Sequence, residues 1–344
     1  MRVGIFGGSF NPPHLGHLNL MASVQKKAGL EKVFVVPSSQ SPLKHPVEGP
    51  TPEQRLDLVK IAASQYGEQF VIDDQEIRRK GVSYTIDTIR AYRKEYKAED
   101  LFLILGADTF ESLPEWKSFK DLLKETNFII ATRPGHSLPT AVDELPEALK
   151  EFVAEFDMNY IELTTGRSIQ FITLKDVDIS ATDLRKRLRT GRSLEKYLPL
   201  GVENHIRDNK FYQPLGAKIA DYADFTKFVA GVLFDRKGIN VKGFDLRELT
   251  APSEYAIVCS GTSSRHSASL AENVIQQVKE EYGVLPQSIE GLEEGRWVLL
   301  DYGSLILHVF YDFVRQEYAL EQLWADGKDM GLKDPTPMPP TKTM

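Results

Sequence analysis

The 344 residues carry a formal net charge of −7, are 42% hydrophobic and 26% charged, and include one cysteine, Cys259. That length exceeds one typical domain, and a lone cysteine excludes an intrachain disulfide and a cysteine-rich zinc cage. No apolar run is long enough for a transmembrane span, and the opening Met1 to Phe6 is too quickly broken by glycine and proline for a signal peptide, so cytoplasm is the expected compartment.

In chain order, short apolar runs at Val3 to Phe6, Val33 to Val36, Phe70 to Ile72, Leu101 to Leu105, Phe128 to Ala131 and Phe171 to Thr173 predict strands. Helical patterns fall between them at about 16–28, 52–65, 85–96 and 116–124. Continuous apolar strands alternating with helices predict an α/β fold, a parallel sheet covered on both faces, with its ligand at the carboxyl ends of the strands. The charge is uneven: residues 1–213 are net −1 and residues 214–344 net −6. An acidic second half is poorly suited to gripping a phosphate backbone, so no direct DNA binding is expected and a basic protein surface is the better partner.

The stretch Gly7-Gly8-Ser9-Phe10-Asn11-Pro12-Pro13-His14-Leu15-Gly16-His17 joins the first strand to a helix through a glycine turn. Such a turn offers backbone N–H groups and a helix N-terminus to an anion, and two histidines three apart lean toward it, so a nucleotide phosphate site is expected. A zinc pair is disfavoured because no third ligand stands at a recognisable spacing, and burial of the histidines in the core is not expected of a Gly/Pro-rich turn. Three more clusters follow strands: a loop ending at Lys44, the run Gly106-Ala107-Asp108 with Trp116-Lys117 beyond it, and the helix start Ile179-Ser180-Ala181-Thr182-Asp183-Leu184-Arg185. Each alone also reads as surface lysine, helix cap or core tryptophan.

Taken together with Ser83-Tyr84-Thr85 and Arg133-Pro134-Gly135, these segments resemble, in order, bacterial nicotinate mononucleotide adenylyltransferase of the HxGH nucleotidyltransferase superfamily. The resemblance implies a Rossmann-like nucleotidyltransferase domain over residues 1–213 that joins AMP from ATP to nicotinate mononucleotide, with magnesium carried on the phosphates. It implies His14, His17, Lys44 and Arg185 at the transferring phosphates, and Gly7, Gly8, Ser9, Phe10, Gly106, Asp108, Arg133, Ile179, Ser180 and Thr182 around ATP. Tyr84, Thr85, Trp116 and Lys117 would receive the nicotinate ring, with Tyr84 equally readable as packing. Ala181 stands where the family usually has a second serine, which removes one hydrogen bond worth about 1 kcal/mol. Other acceptors, nicotinamide mononucleotide or phosphopantetheine, are the alternatives within the enzyme class, and a nucleotide-sensing binding protein is the alternative outside it.

Residues 214–219 read as a junction. Beyond it, a helix from about 218, strands at Val241 to Leu246, Tyr255 to Cys259, Trp297 to Asp301 and Leu305 to Phe310, and an amphipathic helix over 264–282 predict a smaller mixed α/β domain. Asp245 and Arg247 occupy the spacing of a two-metal carboxylate pair, but the arginine breaks it, so no metal is expected there. Ser260 to His266 is read as a serine-capped helix start and Cys259 as a core residue. Through Tyr255 to Ser263 with Arg265-His266, Trp297 to Gly303, His308 to Phe310 and Leu320 to Trp324, residues 220–327 are similar to ribosomal silencing factor S, the Iojap-like family. This implies binding to a basic protein on the joining face of the large ribosomal subunit, blocking association with the small one. Trp297, Asp301 and Tyr302 are the contact candidates, and Ser304 replaces the family's usual aspartate. Residues 328–344, polar and proline-rich, are expected to be a disordered tail.

Overall fold

The computed structural model describes residues 1–42, 45–132, 139–174, 179–190, 192 and 194–334. The chain forms two compact units, one of Met1–Lys44 with Gly49–Tyr212 and one of His45–Glu48 with Gln213–Met344.

The first unit is built on an eight-stranded sheet of β1 (Val3–Gly8), β2 (Lys32–Pro37), β3 (Phe70–Ile72), β4 (Leu101–Gly106), β5 (Asn127–Thr132), β6 (Val153–Asp157), β7 (Tyr160–Leu163) and β8 (Ser168–Thr173), in the order β3-β2-β1-β4-β5-β8-β7-β6. The pairs along β3 to β8 are parallel, and β7 and β6 add an antiparallel edge. Side chains alternate between two cores: Phe102 and Ile104 enter one with Met21 and Val33, while Leu101, Leu103 and Leu105 enter the other with Ile86 and Phe128. Burial on both faces is why these strands read as unbroken apolar runs. The six expected strands are all present. β6 and β7 were not expected because their residues alternate between exposed and covered, as at Tyr160-Ile161-Glu162-Leu163, and never form a run.

Strand order reverses at β1, with β2 on one side and β4 on the other. Loops leaving neighbouring strands there turn to opposite faces and open a crevice at the carboxyl ends. Gly7 and Gly8 end β1 and Gly106 ends β4, so the glycine stretch and the Gly106-Ala107-Asp108 cluster share that crevice.

The second unit has a six-stranded mixed sheet: β9 (Ile239–Asp245), β10 (Tyr255–Gly261), β11 (Ser288–Glu290), β12 (Trp297–Asp301), β13 (Leu305–Tyr311) and β14 (Lys328–Asp329), in the order β11-β12-β13-β10-β9-β14. Helices Tyr222–Asp235 and Ser264–Tyr282 cover one face, and Ser263 caps the second of them through a bond from the His266 N–H. On the other face Phe244, Phe310, Val314 and Trp324 form a smaller core. Cys259 is wholly buried, and burial pushes its thiol up to about 12, which keeps it inert.

The expectation of a tail beginning at residue 328 is corrected here. Lys328 and Asp329 pair antiparallel with β9, and the Met330 N–H donates to the Gly243 carbonyl at 2.9 Å. Gly243 makes room for this: a β-carbon there would stand 2.5 Å from Leu332 Cδ1. Charged and small residues at the strand's start hid this from the composition. Residues 335–344, the rest of that expectation, lie outside the described residues.

His308 on β13 is buried between Trp297 and Trp324, and its Nδ1 accepts from Trp297 Nε1 at 3.2 Å. Burial lowers its pKa to about 4, so the folded chain refuses a proton that the unfolded chain takes up below its ordinary value of 6.5. The stability this neutral histidine confers is therefore complete above pH 6.5 and falls as pH drops toward 4, by at most about 3 kcal/mol. Denaturant unfolding of the full chain across that range is expected to show this slope, and His308→Gln to flatten it.

Candidate functional site

β1 delivers Gly7, Gly8 and Ser9 to the crevice, and Phe10 then turns inward with φ of 45° and 3% exposure. Its ring meets Phe6 edge-on at 5.6 Å and His17 at 5.1 Å, anchoring the turn in the core beneath it. After the cis Asn11–Pro12 peptide, His14 takes an extended backbone as the N-cap of helix Leu15–Lys27. The His14 N–H donates to His17 Nδ1 at 3.3 Å, which leaves the proton of a neutral His17 ring on Nε2. The two imidazoles stack with centroids 3.7 Å apart and 26° between their planes. His17 is half-buried, but His14 is only 4% exposed. This corrects the expectation that a Gly/Pro-rich turn would keep the histidines out of the interior: Pro12, Pro13 and Phe10 are themselves buried, so the turn is part of the interior.

Gly16 is what permits the stack, since a β-carbon there would lie 2.9 Å from His14 Nδ1 and 3.0 Å from Cε1. The same position faces Ile179 at 3.8 Å, so the segment before helix Ala181–Arg189 runs beside the histidines. Ser180 caps that helix, accepting from the Asp183 N–H at 3.4 Å. Arg185, one turn in, reaches the Asn11 carbonyl with Nη1 at 3.0 Å and Thr182 Oγ1 with Nη2 at 3.1 Å. Tyr212 is buried and donates to Asn11 Oδ1 at 2.6 Å. Thus the helix start carrying His14 and His17 and the one carrying Ser180, Thr182 and Arg185 meet beside the turn that follows β1.

Gly106 precedes helix Ala107–Glu111, and its missing side chain lets the exposed Asp108 carboxylate fold back, with Oδ1 at 3.0 Å from where a β-carbon would be. Tyr84 is the N-cap of helix Thr85–Tyr92, and Thr85 is its first residue, half-buried. Lys117 Nζ sits 4.0 Å above the Tyr84 ring and 3.8 Å from Asp87, so the tryptophan turn and the Ser83-Tyr84-Thr85 segment come together. Trp116 is half-buried and packs against the same core as Tyr84. Lys44 and Arg133 lie outside the described residues.

Arg55 was missed by the sequence reading. It sits on helix Pro52–Ala63, is 5% exposed, and donates to the Ser9 carbonyl, to Ser38 O at 2.6 Å and to Ser39 O at 2.8 Å. The available signal was weak: a single arginine next to the apolar positions Leu56, Leu58 and Val59 of that helix. Tyr212 gave no local signal, because its partner Asn11 is 201 positions away.

In the second unit Trp297 is half-buried, packed against Phe310 at 5.0 Å and Tyr318 at 4.7 Å. Tyr311, Phe313, Tyr318 and Leu323 are exposed, Phe313 at 62% and Leu323 at 73%, and of these Tyr318 touches Trp297. Asp301 is half-buried and its carboxylate accepts from the Gly303 N–H at 2.7 Å. Tyr302 must be withdrawn as a contact candidate: it is 0% exposed, edge-on to Phe225 at 5.4 Å, and part of the core. Arg247 pairs with Asp245 at 2.7 Å, the arrangement expected of a neutralised carboxylate.

Among the described residues no three His, Cys, Asp or Glu side chains gather as a metal cage, and no helix is long and apolar enough to cross a membrane. The donors in the crevice suit phosphate oxygens.

Residues 5–187 match the sequence model of the family described as cytidylyltransferase-like, and residues 220–343 that of ribosomal silencing factor during starvation. A protein of Syntrophotalea carbinolica named "Probable nicotinate-nucleotide adenylyltransferase" is 32% identical over 62% of this chain and 98% of its own length. One of the same name from Moorella thermoacetica is 36% identical over 62% of this chain and 92% of its own. Among solved structures, Plasmodium falciparum nicotinic acid mononucleotide adenylyltransferase complexed with NaAD aligns at 17% identity over 61% of this chain and 97% of that one, with a TM-score of 0.48. With its histidine pair at the switch point of a parallel sheet and these matches over the same residues, the chain belongs to the cytidylyltransferase-like family, among the relatives named nicotinate-nucleotide adenylyltransferase, and continues into a ribosomal silencing factor module.

Proposed function

We propose that the first unit transfers AMP from ATP to nicotinate mononucleotide, giving nicotinic acid adenine dinucleotide and pyrophosphate. The observation that carries this reading is the stacked His14–His17 pair at a helix start, with Arg185 held on the Asn11 carbonyl beside it. The names of the relatives over this region supply the substrate class. A phosphate oxygen of the mononucleotide attacks the α-phosphorus of ATP, the bond from that phosphorus to the bridging oxygen breaks, and pyrophosphate leaves. The acceptor brings its own nucleophile, so the protein's task is alignment and charge neutralisation. His14 and His17 donate to phosphate oxygens, and Gly7, Gly8 and Ser9 let the backbone approach them. Arg185, Thr182 and Ser180 meet the outgoing phosphates together with Lys44, while Arg133, Gly106 and Asp108 hold the rest of the nucleotide. Magnesium, carried on the phosphates of ATP, would neutralise charge there, and among the described residues no carboxylate or histidine cage is set aside for it. At the acceptor end Thr85 lies at a helix N-terminus, where backbone and hydroxyl donors favour a carboxylate, and Trp116 offers a flat face to the pyridine ring. Tyr84 supports Lys117 from below.

For the second unit we propose binding to the large ribosomal subunit through a basic protein on its joining face, which blocks subunit joining and represses translation. The family match and the net charge of −6 over residues 214–344 support it. Trp297, packed against the exposed Tyr318, supplies an apolar centre of the kind that dominates binding energy, with Asp301 at the other end of the same strand.

Purified protein supplied with ATP, magnesium and nicotinate mononucleotide is expected to release the dinucleotide and pyrophosphate, with nicotinamide mononucleotide a poorer acceptor. His17→Ala is expected to lower turnover about a hundredfold or more. Gly16→Ala, which presses a methyl group on the His14 ring, is expected to cost about tenfold in kcat with the melting temperature nearly kept. Absence of product from the wild-type chain in this assay would overturn the enzymatic reading. Trp297→Ala and Tyr318→Ala are expected to abolish co-sedimentation with large subunits while adenylyl transfer persists; retained co-sedimentation in both would move the contact elsewhere.

A further inference from the structure

A charged guanidinium buried among backbone carbonyls is costly, and Arg55 has no ion-pair partner among the described residues to offset it. Burial pulls its pKa down, yet an arginine keeps its proton at any ordinary pH, so the charge stays in place. Its three acceptors come from two different loops: Ser9 from the loop after β1, Ser38 and Ser39 from the loop after β2. The second loop continues the linkage. The Ser39 N–H donates to Ser83 Oγ at 3.0 Å and the Ser83 N–H to the Gln40 carbonyl at 2.8 Å, where Gln40 and Val82 form a β-bridge. Ser83 itself is 7% exposed and stands directly before Tyr84 and Thr85. Helix Pro52–Ala63, which carries Arg55, is fixed in turn by a capping box between Thr51 and Gln54.

We propose that Arg55 is a positioning residue: it ties the phosphate-binding stretch after β1 to the loop after β2, and through Ser83 to the acceptor segment, so that the two substrates meet at one fixed separation. The inference rests on the adenylyl-transfer reading above for its kinetic consequence, though not for its structural one. Each substrate keeps its own contacts when the tie is cut, but the attacking oxygen and the α-phosphorus no longer meet in line. A lysine cannot replace it, because a point charge lacks the planar fork that reaches carbonyls on two loops.

The test uses the full-length chain with Arg55→Lys, Arg55→Ala and Ser83→Ala. We expect kcat to fall about tenfold to a hundredfold in the arginine variants and about threefold to tenfold in Ser83→Ala, while KM for ATP and for nicotinate mononucleotide each stay within about threefold. Millimolar methylguanidinium is expected to restore kcat in Arg55→Ala saturably, where equal sodium chloride does not. Wild-type kcat in Ser83→Ala, a loss appearing only in KM, or recovery that merely tracks the folded fraction would each overturn the proposal. Hydrogen exchange keeps it separable from the activity reading: amides of residues 7–17 and of 38–42 are expected to exchange faster together in Arg55→Lys. Unchanged exchange in either stretch would refute the tie even if the wild-type chain made no dinucleotide.

Discussion

The first unit depends on one topological constraint, the reversal of strand order at β1. A parallel strand must be followed by a crossover to one face of the sheet, and β1 and β4 send theirs to opposite faces. A crevice between oppositely directed crossovers lets backbone donors at the carboxyl ends face a ligand without breaking the sheet. Everything the site uses is arranged around it: a glycine turn from β1, a helix start carrying stacked imidazoles, and a second helix start whose arginine returns to the turn. Tyr212, at the far end of the unit's chain, closes on Asn11, so turn, helix and last segment hold one another.

The histidine pair shows how packing and chemistry are shared. His14 is buried, and its ring stacks on that of the half-buried His17. A glycine between them is required because the backbone passes within contact distance of the His14 ring. The HxGH spacing is thus a packing solution in its own right: the glycine lets the His14 ring stack on that of His17.

Legibility in the sequence followed the range of the signal. β1, β2, β4 and β5 announced themselves because burial on both faces demands consecutive apolar residues, and helix Ser264–Tyr282 because its apolar stripe recurs at helical spacing. β6 and β7 did not, being half-covered edge strands, and β14 did not, being two charged residues whose pairing is licensed by a glycine over eighty positions earlier. Around the crevice, residues clustered along the chain drew notice in the sequence, whereas Arg55 and Tyr212 bond to partners far away in it. Tyr302 was misread for a different reason: an aromatic after an acidic strand end looks the same in a core as at an interface, and only burial separates them.

The pairing of β14 with β9 bears on how the second unit is made. In its sheet β9 would otherwise be an edge, and an open edge invites strands from other chains. Because β14 follows β13 in the chain, β9 emerges from synthesis long before the strand that will cover it. Lys242 projects from that edge strand, exposed, and is the kind of charge that discourages a foreign strand from docking in the interval. The guard is therefore double: an electrostatic one while the chain is being completed, and a covalently attached strand once it is.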